Sequence, residues 1–475
     1  MKKSVSQTKI VATLGPATST KVILNQLIQE GVDVFRLNFS HSSQQEHLKM
    51  INLIKELNKE LKNHVAILAD LQGPKLRVGE IENNRIDLIE GDTITFVNQK
   101  CIGIKAAIYM SYHEFSQDVN VGEFILIDDG KIKLEVVETN KKDTVKARVI
   151  YGGPLSSKKG VNLPNTKVSL PCLTDEDISN ASFALENDVD WIALSFVRKA
   201  SDIIDLKKLI TEKNGHAGVI AKIEKPEALD EIDQIIEITD GVMVARGDLG
   251  VEVSFDRVPL IQKQIVEKCI AQAKPVIIAT QMMESMITNF TPTRAEANDV
   301  ANAVLDGADA LMLSGETSVG KYPVQTIQNM QKIINFTETN GNIFNRKYIP
   351  VPESPTFLED SICYNAVVLA QQTGAKAIIA ITNSGYTAYR LASYRPEAKI
   401  FAVTNNEKLL QKLSLIWGVR AFYVQSYETI NEVYLESIKI LKMNELIAEG
   451  EIVVHVASLP IKLNDRANMI KVTQV

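Results

Sequence analysis

In the string Phe35-Arg36-Leu37-Asn38-Phe39-Ser40-His41, Arg36, Asn38 and Ser40 stand two apart. They share one face for as long as the chain stays extended. Lys222-Ile223-Glu224 repeats that spacing with an ammonium and a carboxylate. Asp70, Arg246-Gly247-Asp248, Thr280-Gln281 and Ser314-Gly315-Glu316 also close apolar runs, each ending in polar or charged residues of the inward phase. Glu224 and Asp248 are hard oxygen ligands able to share one Mg²⁺ (or Mn²⁺), with substrate oxygens and water completing the octahedron. Lys222 leaves the same strand on the same face and could touch whatever the metal touches. Arg36 supplies a planar fork for a carboxylate or phosphate. Metal, Lys and Arg around one anion equip a site for phosphoryl transfer, where catalysis is mostly positioning and charge stabilisation. Aldol or enolate chemistry on pyruvate needs a similar set. Taken singly, each residue is as readily a structural ion-pair partner. Taken together, charges of both signs converging on one mouth are costly to bury without a ligand.

The elements that must position these residues are short β-rich runs alternating with amphipathic helical stretches. The runs are Lys9–Thr13, Val34–Asn38, Ala66–Asp70, Trp191–Phe196, Gly218–Ile223, Gly241–Ala245, Pro275–Thr280 and Ala310–Ser314. Pro259–Ala273 and Arg294–Leu305 read as helices between them. Eight βα units make an α/β chain with a TIM (β/α)8 barrel, whose site lies at the C-terminal strand ends. After Asp70 the pattern changes. Asp87–Val97, Glu123–Ile127, Lys131–Glu138 and Thr144–Ile150 read as strands between Gly and Asp turns, an inserted all-β lid domain. Phe344–Leu358 carries three prolines and reads as a linker. Strands at Lys376–Thr382, Lys399–Thr404, Gly418–Val424, Ile452–Ser458 and Met469–Val472, with helices between, make a C-terminal α/β domain. The expected division is 1–70 with 168–343 for the barrel, 71–167 for the lid and 344–475 for the C-terminal domain.

Composition narrows the function classes. A chain of 475 residues predicts two to four domains. A net charge of −6 makes nucleic acid an unfavoured partner, so an anionic substrate needs a local cationic cluster. No apolar run reaches bilayer length, and the opening residues lack the apolar core of a secretory signal. The four cysteines, Cys101, Cys172, Cys269 and Cys363, form no CxxC pair, which excludes a cysteine zinc cluster and fits a reducing cytoplasm.

The strings themselves are specific. Thr13-Leu14-Gly15-Pro16-Ala17, the Arg36–His41 string, Ser157–Asn162 (SKKGVN), Lys222-Ile223-Glu224, Met243–Gly250 (MVARGDLG), Ala279–Met286 (ATQMMESM) and Pro292–Glu296 (PTRAE) occur in order along the chain. Through them the chain resembles the pyruvate kinase family over essentially its full length. The resemblance implies transfer of the phosphoryl group of phosphoenolpyruvate to ADP, giving pyruvate and ATP, the last step of glycolysis. It implies that Glu224 and Asp248 bind the divalent metal and that Lys222 stabilises the phosphoryl group in flight. Arg36, Lys222, Gly247, Asp248 and Thr280 would bind substrate, with Thr280 near the path of the proton that converts enolpyruvate to pyruvate. Asn38, Phe39, Ser40, His41, Arg77 and Lys159 match nucleotide-contacting positions. It also implies a homotetramer. A non-catalytic relative would be expected to lack a metal carboxylate or the catalytic Lys, and all three are present here. The β insert and the Ser157–Asn162 string argue against an aldolase.

Two places depart from the family pattern. Many members read Asp-Thr-Lys-Gly-Pro-Glu where this chain has Asp70-Leu71-Gln72-Gly73-Pro74-Lys75. That Glu accompanies a K⁺ requirement. A tethered ammonium at Lys75 would replace the bound cation, so the region of Asn38, Ser40, Asp70, Leu71 and Lys75 is expected to work without K⁺, with Asp70 as the partner of the built-in cation. The second is Thr382-Asn383-Ser384-Gly385-Tyr386-Thr387, which follows a strand and opens a helix. Its hydroxyls and free N–H groups could cradle the phosphate of a sugar-phosphate or AMP effector. The last loop, Leu459 to Asn468, has no glycine and carries Asp465, which disfavours fructose 1,6-bisphosphate in particular.

Overall fold

The computed structural model describes residues 6–345, 348–425, 429–459 and 466–475. Strands β1 (Lys9–Thr13), β2 (Val34–Asn38) and β3 (Ala66–Asp70) open a closed parallel barrel. The chain then leaves it for β4 (Ile86–Leu88), β5 (Thr93–Val97), β6 (Ile108–Tyr109), β7 (Phe124–Ile127), β8 (Ile132–Thr139), β9 (Thr144–Tyr151), β10 (Gly153–Leu155) and β11 (Val161–Asn162). These form a pair, β10–β4, and a six-stranded sheet in the order β11-β7-β8-β9-β5-β6. The barrel resumes with β12 (Trp191–Leu194), β13 (Gly218–Ile223), β14 (Gly241–Ala245), β15 (Val276–Ala279) and β16 (Ala310–Leu313), and β16 closes on β1. A third unit carries β17 (Ala377–Ile381), β18 (Lys399–Thr404), β19 (Val419–Tyr423), β20 (Ile452–Ala457) and β21 (Met469–Gln474) in the order β19-β18-β17-β20-β21. Only β21 runs antiparallel to its neighbour there.

Barrel strands are apolar in both phases because both faces are covered. Val11, Val34, Leu68, Ala193, Ile220, Met243, Ile277 and Met312 fill the interior, while Ile10, Phe35, Ile67, Ile192 and Val219 pack against the surrounding helices. The helices start where side chains cap them. Ser43 with Glu46, Thr174 with Asp177 and Thr293 with Glu296 form reciprocal capping boxes.

Several boundaries differ from the sequence reading for local reasons. Asp87–Val97 is two strands in two sheets, not one. Gly91 (φ +87°) and the Asp92 carboxylate, which accepts from the Ile89 amide at 3.0 Å, turn the chain between them. The runs ending at Phe196 and Thr280 stop short of those residues, because Phe196 (φ +55°) and Thr280 (φ +67°) leave the extended region. The linker ends before Phe357, where a helix runs to Thr373.

The C-terminal unit is bolted to the barrel floor through buried charge. Arg395, 2% exposed, donates to the Gly307 carbonyl at 2.7 Å, pairs with Asp309 at 3.1 Å and lies over the Trp417 ring. Removing one partner of a buried pair strands the other charge at a cost of about 3–5 kcal/mol. Arg395→Ala is therefore expected to lower the denaturant midpoint sharply, and an unchanged chemical-denaturation curve would show that the bolt carries nothing.

Candidate active site

Continuing the inward phase past the strand ends gives the mouth of the barrel: Thr13, Arg36 and Asn38, Asp70, Ser195, then Lys222 and Glu224. The side chains meet as that phase requires. Arg36 grips Asp70 through Nε (2.7 Å) and Nη2 (2.6 Å) and donates through Nη1 to Thr13 Oγ1 at 2.9 Å. The Lys222 ammonium lies 3.2 Å from Asp70 Oδ1, 2.9 Å from Glu224 Oε1 and 2.6 Å from Ser195 Oγ. Glu224 Oε2 accepts from the Phe196 amide at 2.9 Å. All of these charged groups are nearly or fully buried.

Electrostatics follows from this packing. Burial pushes the Asp70 carboxyl up, but Lys222 and Arg36 outweigh it and hold Asp70 below the usual carboxylate range. Burial pulls Lys222 down, and Asp70 and Glu224 more than reverse that. Asp248 differs. Burial and the charge of Glu224 push it up to about 6, and it makes no hydrogen bond with a described residue. The charges of Lys222 and Lys75 only partly offset this, so a half-buried carboxylate facing a second carboxylate, with no hydrogen-bond donor among the described residues, leaves room for a cation. This donor set fits Mg²⁺, which is commonly held by one or two carboxylates plus substrate oxygens and water.

Thr280 joins two strand ends. Its Oγ1 accepts from the Gly247 amide at 2.7 Å and donates to the Ala279 carbonyl at 2.6 Å. A Cβ on Gly247 would stand 3.2 Å from that hydroxyl, so glycine permits the approach. A β-branched residue at positive φ is uncommon and must be held there. Arg246 does this from behind: its guanidinium donates to the Thr280 carbonyl (2.9 Å) and forms a fork with Asp299 (2.7 Å to each oxygen).

The structure corrects the sequence reading at four points. Asp70 is not the partner of Lys75; its cations are Lys222 and Arg36, and Lys75 is exposed, without an ion pair to a described residue. Glu316 does not face the mouth: its carboxylate is capped by the Met283 (3.1 Å) and Ser314 (2.7 Å) amides. Gln281 is exposed beyond the strand end. The Phe39 ring is buried against His47 and Phe183, leaving only its backbone for a nucleotide. One residue was missed. Ser195 bridges the Lys222 ammonium to the Leu71 carbonyl, to which its hydroxyl donates at 2.7 Å. Its signal was its place two residues after Ala193 in the inward phase of the fourth run.

Arg77, Lys75 and Arg36 stand close enough to His41 that, after burial, their charges pull it below its ordinary value. Arg77 bridges Gly160 across the base of the insert, and Lys159 is held by Asp128 at 2.8 Å. The Asp128–Gly130 turn reaches the mouth, since Asp129 adds to the charge felt by Asp248. In the C-terminal unit, Gly385 takes φ +92° and its amide donates to Thr382 Oγ1 at 2.9 Å, while Tyr386 donates to Asp360 at 2.8 Å. Residues 460–465 of the last loop, with Asp465, lie outside the described residues.

The family model described as the barrel domain of pyruvate kinase matches residues 5–327, and that described as its alpha/beta domain matches 360–473. The chain belongs to the pyruvate kinase family. It is 41% identical to the pyruvate kinase of Corynebacterium glutamicum over 98% of this chain and 97% of that one. It is 38% identical to that of Clostridium perfringens over 99% and 100% of the two chains. The crystal structure of a pyruvate kinase from Cryptosporidium parvum superposes with a TM-score of 0.92 at 34% identity, covering 99% of this chain and 96% of that one. The chain is a phosphotransferase that makes pyruvate and ATP from phosphoenolpyruvate and ADP. No helix among the described residues is long and apolar enough to cross a membrane.

Proposed function

We propose the following roles for the mouth residues in that transfer. The observation that carries them is the Lys222 ammonium between Asp70 and Glu224, beside a carboxylate, Asp248, that lacks a donor. Glu224 and Asp248 hold a divalent metal, Mg²⁺ or Mn²⁺, which when bound would neutralise charge on the substrate oxygens. Arg36, fixed by Asp70 and Thr13, presents its remaining edge to the substrate phosphate. Lys222 keeps its proton throughout and supplies positive charge to the phosphoryl group as it passes between oxygens. Gly247 and Thr280 line the enolpyruvate, with the Thr280 hydroxyl on the path of the proton that reaches carbon. The Asn38–His41 segment, Arg77 and Lys159 receive the nucleotide, Lys159 leaving Asp128 as the lid closes and excludes water.

The division into a barrel (1–70 with 168–343), a lid (71–167) and a C-terminal regulatory domain (344–475) belongs to this reading. So do a homotetramer, a cytoplasmic location and a phosphate effector at Thr382–Thr387. Large apolar side chains left exposed on both units, such as Phe336 and Leu435, favour association.

The enzyme is read as active without K⁺. Asn38 Oδ1 already accepts from the Ser40 amide (3.1 Å), and the Leu71 carbonyl from Ser195. With Arg36 on one oxygen of Asp70 and Lys222 on the other, four of the oxygens a monovalent cation would use are occupied. A coupled assay for pyruvate formation tests the whole assignment. In K⁺-free buffer of organic cations the rate should stay within about twofold of that in K⁺; a collapse would return the cation to the site.

A further inference from the structure

The two carboxylates assigned to the metal stand on different segments. Glu224 follows the last residue of β13, and Asp248 lies in the first turn of the helix Arg246–Glu252. Their charges oppose each other, so no attraction between them holds the two segments at a set distance.

A second pair of side chains joins the same two segments. Lys225, the residue after Glu224, places its ammonium 2.6 Å from Glu252 Oε1. Glu252 ends the helix, four residues after Asp248 and so on the same face. One peptide bond on one side and one helical turn on the other connect this ion pair to the two metal carboxylates. Glu252 Oε1 also accepts from Asn162 Nδ2 at 2.8 Å, and Asn162 ends β11 in the six-stranded sheet of the insert. The insert meets the helix again at Gly130, where a Cβ would stand 3.9 Å from Val251.

Local stability does not account for this arrangement. A carboxylate at the C-terminal end of a helix sits where the backbone disfavours negative charge. The Glu252 side chain is 1% exposed, and its Oε2 has no partner among the described residues. A buried ion pair gains little over an apolar pair of the same shape. What it supplies is a fixed separation between the groups that carry it.

We infer that Lys225, Glu252 and Asn162 form a latch, in which the ion pair sets the spacing of Glu224 and Asp248 and Asn162 fastens the insert to it. All three are positioning residues, acting through the carboxylates and the insert. The latch rests on the assignment of Glu224 and Asp248 to the metal. Its chemical consequence is selectivity. Mg²⁺ demands near-ideal octahedral geometry with short bonds, and Ca²⁺ accepts a looser and wider shell. A fixed spacing therefore favours Mg²⁺ over Ca²⁺, whereas a change of charge alone acts alike on two ions of equal charge.

The test follows Mn²⁺ binding to the full chain by electron paramagnetic resonance, with Mg²⁺ and Ca²⁺ as competitors and no substrate present. Glu252→Gln keeps the shape of the side chain and should weaken Mg²⁺ about tenfold, the loss of one charge-assisted contact, but Ca²⁺ by less than about threefold. Lys225→Met removes a cation and by charge alone would tighten both ions; it should instead weaken Mg²⁺, and Lys225→Arg should retain the parent selectivity. Asn162→Ala leaves the ion pair in place. It should keep the selectivity and raise KM for ADP about fivefold, the scale of one hydrogen bond, with KM for phosphoenolpyruvate within about twofold. Equal losses of Mg²⁺ and Ca²⁺ in Glu252→Gln, tighter Mg²⁺ in a folded Lys225→Met, or an unchanged KM for ADP in Asn162→Ala would each overturn the inference. If Lys225→Met strands Glu252 and fails to fold, the other two variants decide. Mn²⁺ bound as tightly by Glu224→Gln as by the parent would refute the metal assignment itself, a failure separate from that of the latch.

Discussion

Lys222→Met is expected to lower kcat about a thousandfold, the scale of losing one preorganised charge at a transition state, while phosphoenolpyruvate still binds. The methionine keeps most of the stem and so the packing of the barrel mouth. What it removes is the ammonium 2.9 Å from Glu224 and 3.2 Å from Asp70. Arg36 remains fixed on Asp70 and Thr13, so the phosphate keeps its fork. Glu224 loses its nearest positive charge, so the Mg²⁺ concentration for half-maximal binding should fall or stay level. A substrate titration by calorimetry beside the coupled assay separates the two effects. Turnover within tenfold of the parent enzyme would remove Lys222 from the reaction.

Asp248→Asn has the opposite signature on metal. Half-maximal activation should need at least about tenfold more Mg²⁺, because one of two anionic oxygen donors becomes a weaker neutral one. The maximal rate should fall by about a hundredfold or more. The metal-free protein should become more stable. The folded Asp248 carboxyl is raised to about 6 from its ordinary 3.8, by burial and then by the charge of Glu224. A raised carboxylate favours the fold while protonated and opposes it once ionised. That opposition therefore develops as pH rises from about 4 through 6 and is complete above it. With EDTA present, the variant should melt above the parent at pH 8 and close to it at pH 4, by up to about 3 kcal/mol at the higher pH. Equal melting at both values would mean that neither burial nor the charge of Glu224 opposes the ionised Asp248 in the fold.

Much of the barrel mouth was legible without the tertiary structure. Strand periodicity placed Arg36, Asp70, Lys222 and Glu224 in one phase, because alternation in an extended chain is a local property. The strings around Lys222, Asp248 and Thr280 named the family for the same reason: each lies within one loop or strand end. Where local geometry broke the alternation, the reading failed. Thr280 and Phe196 take positive φ, so the strands stopped early and Gln281 fell outside the mouth. Glu316 has the right type and place, but it turned back to cap two amides that its own chain brought near.

By itself the sequence determined the fold class and the identities of the charged groups at the mouth, since both rest on short-range pattern and residue chemistry, and the reaction came through its resemblance to the family. Only the tertiary structure decided who pairs with whom. Asp70 sits opposite Lys222 rather than Lys75 because β3 and β13 flank β12, and Ser195, just past the end of β12, links the Lys222 ammonium to the Leu71 carbonyl. Asp248, in the first turn of the helix Arg246–Glu252, comes close enough to Glu224 to feel its charge, while no hydrogen-bond donor among the described residues reaches it. The cavity lined by Trp191, Lys274 and Lys412 exists because segments distant in the chain meet beneath the barrel, and no window of sequence contains that meeting.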